Sequence, residues 1–524
     1  MMHSPHATHA QPRTRVLLTA AEAFPTLERA FLAAEREIWA CFRIFDPETR
    51  LRSDEGRAIG DTWFDLVEHV LRKGIALHLT ISDFDPIAKP ELHRGTWRAA
   101  RMLWAAAELA GPGARLDLRP SQHPARTGLL VRLAFLPVIA RKLRRRAAWL
   151  NAMPGPERRT AMRDLPGLVE FLDQTPDGML QPRLWPPPRL APATHHQKIA
   201  VFDRRLLYLG GLDLDERRYD TPNHDRAAEE TWHDVQILVE GRAADEAQAH
   251  LETFHDVTAG RRQPGAARRL LRTLSRRRRF EVPFFGPEPV ADEIAEAHLA
   301  LISRAERLIY IETQYFRSRD LARALARAAR DKPSLGLILM LPAAPEEVAF
   351  DGGSGAEDRF GEYLQTRCLR IIRRAFGNRL FVGSAAQPRP ADPDRDGDHP
   401  RAALNGAPLV YIHAKVSVFD DRAALVTSAN LNGRSLKWDT EAGVFLNRRG
   451  DVNDFRDRVM AHWLPEDAGQ EFFSDATAVA AWTRLACNNA RTAPERRSGF
   501  LLPHDVAAAE AFCRPLPIIP EEMM

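Results

Sequence analysis

Apolar positions recur along the chain in a repeating order. In 27–47, "LERAFLAAEREIWACFRIFDP", apolar residues spaced three and four apart give way to a short apolar run, which predicts an amphipathic helix and then a strand. The stretch 291–316, "ADEIAEAHLALISRAERLIYIETQYF", repeats that pattern. A second helix–strand pair, 64–84, has its counterpart in 320–342. Each half then reaches a β-branched hairpin, "KIAVFDRRLLYLGG" in the first and "KVSVFDDRAALVTS" in the second. Alternating helices and strands predict an α/β fold, and the repeated order predicts two pseudo-symmetric lobes, each a mixed β-sheet flanked by helices. The expected boundaries are 15–260 for the first lobe, with an insert at about 111–192, and 282–470 for the second. A basic linker, 261–281, and a tail, 471–524, complete the chain.

Composition narrows the picture slightly. The 524 residues are 44% hydrophobic, with a net charge of +4. Only seven residues are lysine, so nearly all the positive charge is arginine. Cys41, Cys368, Cys487 and Cys513 form no CxxC pair, which argues against a zinc ribbon or disulfide framework and suits a reducing compartment. The first 24 residues lack the apolar core of a signal peptide, and no apolar run is long enough to span a bilayer. A cytoplasmic protein, or one peripheral to a membrane, is expected.

Lysine scarcity makes one repeat informative. His196, Lys198 and Asp203 are spaced as HxKxxxxD, and His413, Lys415 and Asp420 repeat that spacing 217 positions later. On a strand, residues two apart share a face, so each His–Lys pair points one way. Both aspartates begin hairpin turns, where Asp is also favoured for local reasons. Two histidines and two lysines converging on one point suit a phosphodiester: the ammonium groups stabilise the anionic transition state, one imidazole attacks phosphorus and the other transfers protons. No metal is expected, because no ligand spacing is readable and paired ammonium groups oppose a cation. The stretch "DPDRDGD" begins like a calcium loop, but its twelfth position is Ala403.

The insert carries "GLLVRLAFLPVIARKLRRRAAWL", an apolar stretch joined to a basic cluster that includes Arg141, Lys142 and Arg144. It is too short to span a bilayer and suits a peripheral contact with anionic lipid, as it also suits a buried helix with a solvated basic end.

The doubled block, with "GGLDLDERRYD", "TWHDVQILVEG", "YIETQYF" and "TSANLNGRSLKWDTE", resembles the phospholipase D superfamily over about 15–445. That resemblance implies facing lobes with one site at their interface, no cofactor, and the six motif residues as catalytic groups. It implies phosphate-pocket support from Asp213, Ser428 and Asn430, with Asp234 and Glu441 each orienting the histidine of its own half. Glu312 and Gln314 are candidates to line the pocket. Two positions depart from the family pattern: Thr427 stands where glycine is usual, and Asp213 where asparagine is common. The implied activity is cleavage or exchange of phospholipid headgroups through a phosphohistidine on His196, with water or an alcohol as acceptor and the chain a monomer. A cardiolipin synthase-like transferase is the alternative. A nuclease is less favoured, no nucleic-acid partner being expected, as is a non-catalytic membrane-binding module.

Overall fold

The computed structural model describes residues 14–517 and 519–524; most of the N-terminal stretch read for a signal peptide lies outside them. Two mixed sheets form the frame. The first has seven strands in the order Thr14–Leu18, Val235–Glu240, Leu206–Gly210, Ile199–Phe202, Glu37–Phe42, Ala76–Ser82, Arg115–Ser121. The second repeats this order with Leu270–Arg276, Glu441–Leu446, Ala423–Thr427, Lys415–Phe419, Leu308–Thr313, Gly336–Met340 and Leu380–Ala386, and carries further strands at both ends. In both, a parallel trio abuts an antiparallel hairpin. The expected two-lobe α/β architecture is therefore present.

The predicted helix–strand pairs are in place. Thr19–Ala33 precedes Glu37–Phe42, and Glu293–Arg304 precedes Leu308–Thr313. Trp63–Arg72 starts at a capping box, in which the Asp65 carboxylate accepts from the Thr62 N–H at 2.9 Å. Helices cover the outer face of each sheet. The inner faces meet in one core, where Ile199, Val201, Leu207 and Leu209 pack in the same cluster as Val416, Val418, Ala424 and Val426. This shared core fixes one lobe against the other.

Three segments differ from the sequence reading. The stretch 261–281 contains Leu270–Arg276, which pairs with Glu441–Leu446 and is the second-sheet counterpart of Thr14–Leu18. Its arginines hid the strand: Arg272 is buried because it is bound by Glu293, with the Nε–Oε2 contact at 2.9 Å. The insert begins later than expected, since Arg115–Ser121 is the edge strand of the first sheet. The tail is bound in as well, with Leu501–Pro503 pairing to Leu380–Ala386 and Trp482 fully buried.

Within the insert, Leu129–Asn151 is a continuous helix that includes Pro137. One side buries Ile139, Leu143, Ala147 and Leu150. The other exposes Leu130 and Leu133, with Arg141, Lys142, Arg144 and Arg145 following. Gly128, just before this helix, donates to the Phe284 carbonyl at 2.9 Å, which brings the exposed Phe280, Val282 and Phe284 alongside.

Candidate active site

Backbone bridges between the lobes assemble the site. His195 pairs with Thr440, and His233 with Ile412, in parallel fashion across the interface. The first bridge carries His196 to the second lobe, and the second bridge carries His413 to the first.

The carboxylate partners are consequently exchanged. His196 Nδ1 lies 2.9 Å from Glu441 Oε1, and His413 Nδ1 lies 2.6 Å from Asp234 Oδ2. Each histidine is held by a carboxylate of the opposite lobe, not of its own half as the sequence suggested. The reason is geometric: the two motif strands approach from opposite sides, so the nearest downstream carboxylate is the one across the interface. A carboxylate on Nδ1 fixes the tautomer with Nε2 free as a base or nucleophile.

The lysines lie beside these rings. Lys198 Nζ donates to the His196 carbonyl at 2.6 Å and sits 3.6 Å from Asp213 Oδ2. Lys415 Nζ donates to the His413 carbonyl and lies 3.0 Å from His413 Nδ1. Asp213 therefore does not confront the phosphate position as a free charge; its other oxygen accepts from the Ile44 N–H at 2.9 Å. Ser428 Oγ donates to Glu441 Oε2 and accepts from the Ala442 N–H at 3.1 Å. Asn430 Oδ1 is buried with no protein partner. Thr427 is accommodated because its strand partner is Gly443, where any Cβ would meet Thr427 Cγ2 at 2.6 Å.

Burial dominates the electrostatics. It pushes His196 well below the ordinary imidazole value, assisted by Lys198, Arg43, Lys415 and Arg434. Burial does the same to His413, with Lys415, Arg218 and Lys198 contributing. Glu441 is raised to about 8 and Asp234 to about 6, again by burial, while nearby lysines pull both back. Burial lowers Lys415 to about 7. Such a cluster gains from an arriving anion, which restores charge balance around the cations.

Two motif aspartates lie elsewhere. Five residues of strand, roughly 17 Å, separate each from its lysine. Asp203 accepts from the backbone N–H groups of Glu35, Arg36 and Glu37 at 2.8, 2.9 and 3.0 Å. Asp420 does the same for Glu306, Arg307 and Leu308 at 2.9, 2.9 and 3.0 Å. Both occupy left-handed turns, with φ of 52° and 53°. They bind the start of the neighbouring strand and touch no histidine, so the expectation that they act on substrate is corrected. Glu312 and Gln314 do not line the site either. Glu312 is fully buried and accepts from Tyr310, Trp463 and His233, and Gln314 donates to the Tyr411 hydroxyl.

The sequence reading also missed residues. Trp232 packs against His413 with ring centroids 4.6 Å apart, and the Arg218 guanidinium lies 3.6 Å above the Trp232 ring. Arg43, Arg218 and Arg434 all act on the histidines, yet nothing marks them out among so many arginines.

A family profile described as "Cardiolipin synthase, PLD-like domain" matches residues 298–463. Phospholipase D alpha 4 of Arabidopsis thaliana is 23% identical over 380 residues, covering 53% of this chain and 49% of that protein. Phospholipase D zeta 1 of the same plant is 29% identical over 230 residues, covering 38% of this chain and 19% of that protein. Phosphatidylserine synthase of Haemophilus influenzae Rd KW20 superposes with a TM-score of 0.43 at 15% identity, covering 86% of each chain. The chain spans about half the length of the phospholipase D alpha relatives it matches. The doubled HxKxxxxD block, the two repeated sheets and these sequence likenesses support the phospholipase D superfamily.

Proposed function

We propose that the protein is a phospholipase D-type phosphodiesterase and phosphatidyltransferase that works through a phosphohistidine. The observation that carries this reading is the pair of crossed His–carboxylate contacts flanked by two buried lysines. In the first step His196 Nε2 attacks phosphorus, the N–P bond forms, and the P–O bond to the headgroup breaks. The departing oxygen takes a proton from His413 in its imidazolium form, which Asp234 on Nδ1 and the bound phosphodiester anion favour against the opposing effect of burial. In the second step His413 removes a proton from water or an alcohol, whose oxygen attacks phosphorus and releases His196. Lys198 and Lys415 offset the charge that builds on the phosphoryl oxygens, and Asn430 supplies a further polar contact. Glu441 and Asp234 hold the two rings; Asp203 and Asp420 hold the scaffold.

A transferase that joins two phosphatidylglycerols uses the same residues, and the profile over 298–463 favours keeping it as the second reading. The deciding experiment supplies labelled phosphatidylcholine or phosphatidylglycerol with and without an alcohol. Headgroup release with alcohol exchange supports the first reading, and cardiolipin from phosphatidylglycerol alone supports the second. No turnover of either lipid rejects both. No helix among the described residues is long and apolar enough to cross a membrane. We place the lipid contact on the Leu129–Asn151 helix, where exposed apolar residues adjoin four exposed cations.

A further inference from the structure

Next to the site, where His233 directly precedes Asp234 in the chain, three imidazoles meet. We propose that His224 Nε2, His233 Nδ1 and His462 Nε2 bind a divalent transition-metal ion of the zinc type that clamps the two lobes together. The three histidines present nitrogen atoms that all lie within 4.8 Å of one another, and His224 Nε2 is 2.9 Å from His462 Nε2. Zinc–nitrogen bonds of 2.0–2.1 Å set tetrahedral ligand atoms about 3.3 Å apart, so modest side-chain rotation completes the site.

The remaining nitrogens of two rings are already anchored. His224 Nδ1–H donates to Asp220 Oδ2 at 2.6 Å, and His233 Nε2–H donates to Glu312 Oε2 at 3.1 Å. Carboxylates on the outer nitrogens fix the tautomers and turn the lone pairs of His224 Nε2 and His233 Nδ1 inward, as in carboxylate–histidine–metal triads. His233 Nδ1 is buried with no protein partner, although its side chain is wholly enclosed. His224 sits in the left-handed region with φ of 50°, a strained placement for a side chain that must reach this point. Three neutral imidazoles select zinc, copper or nickel over calcium or magnesium.

The placement gives the ion a role. His224 and His233 belong to the first lobe, and His462 caps the second-lobe helix Arg449–Ala461. The His233 carbonyl accepts from the His413 N–H at 2.8 Å, and the next residue, Asp234, holds the His413 ring. An ion here is a positioning element for the active site, not a participant in the reaction. The sequence carries no short ligand spacing because the third histidine comes from the other lobe.

The test uses the full chain with His3, His6 and His9 replaced by Gln, so that the N-terminal histidines contribute nothing. The protein is stripped with chelator, refilled with Zn²⁺ or Co²⁺, dialysed, and assayed for metal per chain and for Tm. The proposal expects one ion per chain, a tetrahedral Co²⁺ visible spectrum, and a Tm raised by several degrees. His462→Gln should lose both the ion and the Tm gain. His462→Cys should keep the ion and add a thiolate-to-cobalt charge-transfer band. Absence of a stoichiometric ion in the parent, full retention in His462→Gln, or bound cobalt without that band in His462→Cys overturns the proposal.

Discussion

His196 Nδ1 stands 2.9 Å from Glu441 Oε1, a contact between residues 245 positions apart and on different sheets. The reciprocal contact, His413 to Asp234 at 2.6 Å, spans 179 positions. Neither lobe alone supplies both members of either active-site pair, His196–Glu441 or His413–Asp234, so correct docking of the lobes is a condition for activity.

Glu441→Gln and Asp234→Asn should each lower kcat by roughly 10²- to 10⁴-fold while changing KM much less, as expected for groups that hold a ring in its working tautomer. Steady-state kinetics on a short-chain phospholipid measures this. A large KM effect with unchanged kcat would assign these carboxylates to substrate binding.

Asp203→Ala removes the acceptor for three backbone N–H groups and places a side chain with no αL preference in a left-handed turn. It should cost about 1–3 kcal/mol of stability, with turnover per folded molecule close to wild type. The three N–H groups hold the Asp203 carboxyl below its ordinary value, against the opposing effect of burial. Its contribution is therefore fully present above the unfolded carboxylate range and is lost as pH falls through the folded value. Denaturant melts between pH 3 and 7, about the ordinary carboxylate range, should show the variant approaching wild type at the acid end. Orders-of-magnitude loss of turnover in a fully folded variant would return Asp203 to the chemistry.

The rate should depend on pH through the buried cluster. Lys415, lowered to about 7 by burial, carries its charge below that value and loses it above. His196 stays neutral and nucleophilic until pH falls well below the ordinary imidazole range. For the free enzyme, kcat/KM should therefore peak on the acid side of neutrality and fall through pH 7 to 8, with apparent values belonging to the coupled site. A profile flat up to pH 9 contradicts this electrostatic account.

Charge reversal of Arg141, Lys142 and Arg144 should weaken binding to anionic liposomes by at least tenfold and leave turnover of a soluble short-chain substrate unchanged. Each cation near an anionic surface is worth about 1 kcal/mol. Liposome sedimentation at fixed salt reads this, and unchanged binding by the folded variant removes the surface from consideration.

The paired lobes were legible because the helix–strand order repeats, and the His–Lys pairs were legible because lysine is so rare here. The exchange of carboxylates was not, since it is set by how the lobes dock and leaves no trace in local spacing. Asp203 and Asp420 were assigned to the chemistry because they share the motif with His and Lys, yet strand length alone carries them to the opposite end of the sheet. Leu270–Arg276 was hidden because a buried arginine paired with Glu293 reads as a solvated charge. Glu312 shows the converse: a carboxylate on a strand near the motif turned out to be an internal acceptor for three donors.

The two-step reaction through His196 is the centre of this account, and trapping its intermediate tests it most directly. Enzyme turning over a labelled phosphatidyl substrate is quenched in denaturant, digested, and its peptides weighed. The account predicts a phosphatidyl adduct on the peptide containing His196. With a substrate whose leaving group needs no protonation, the adduct should accumulate in His413→Asn, where the second step lacks its base. An adduct on His413 and none on His196 reverses the roles of the two histidines. No adduct on either, together with inversion of configuration at phosphorus, contradicts the two-step mechanism itself.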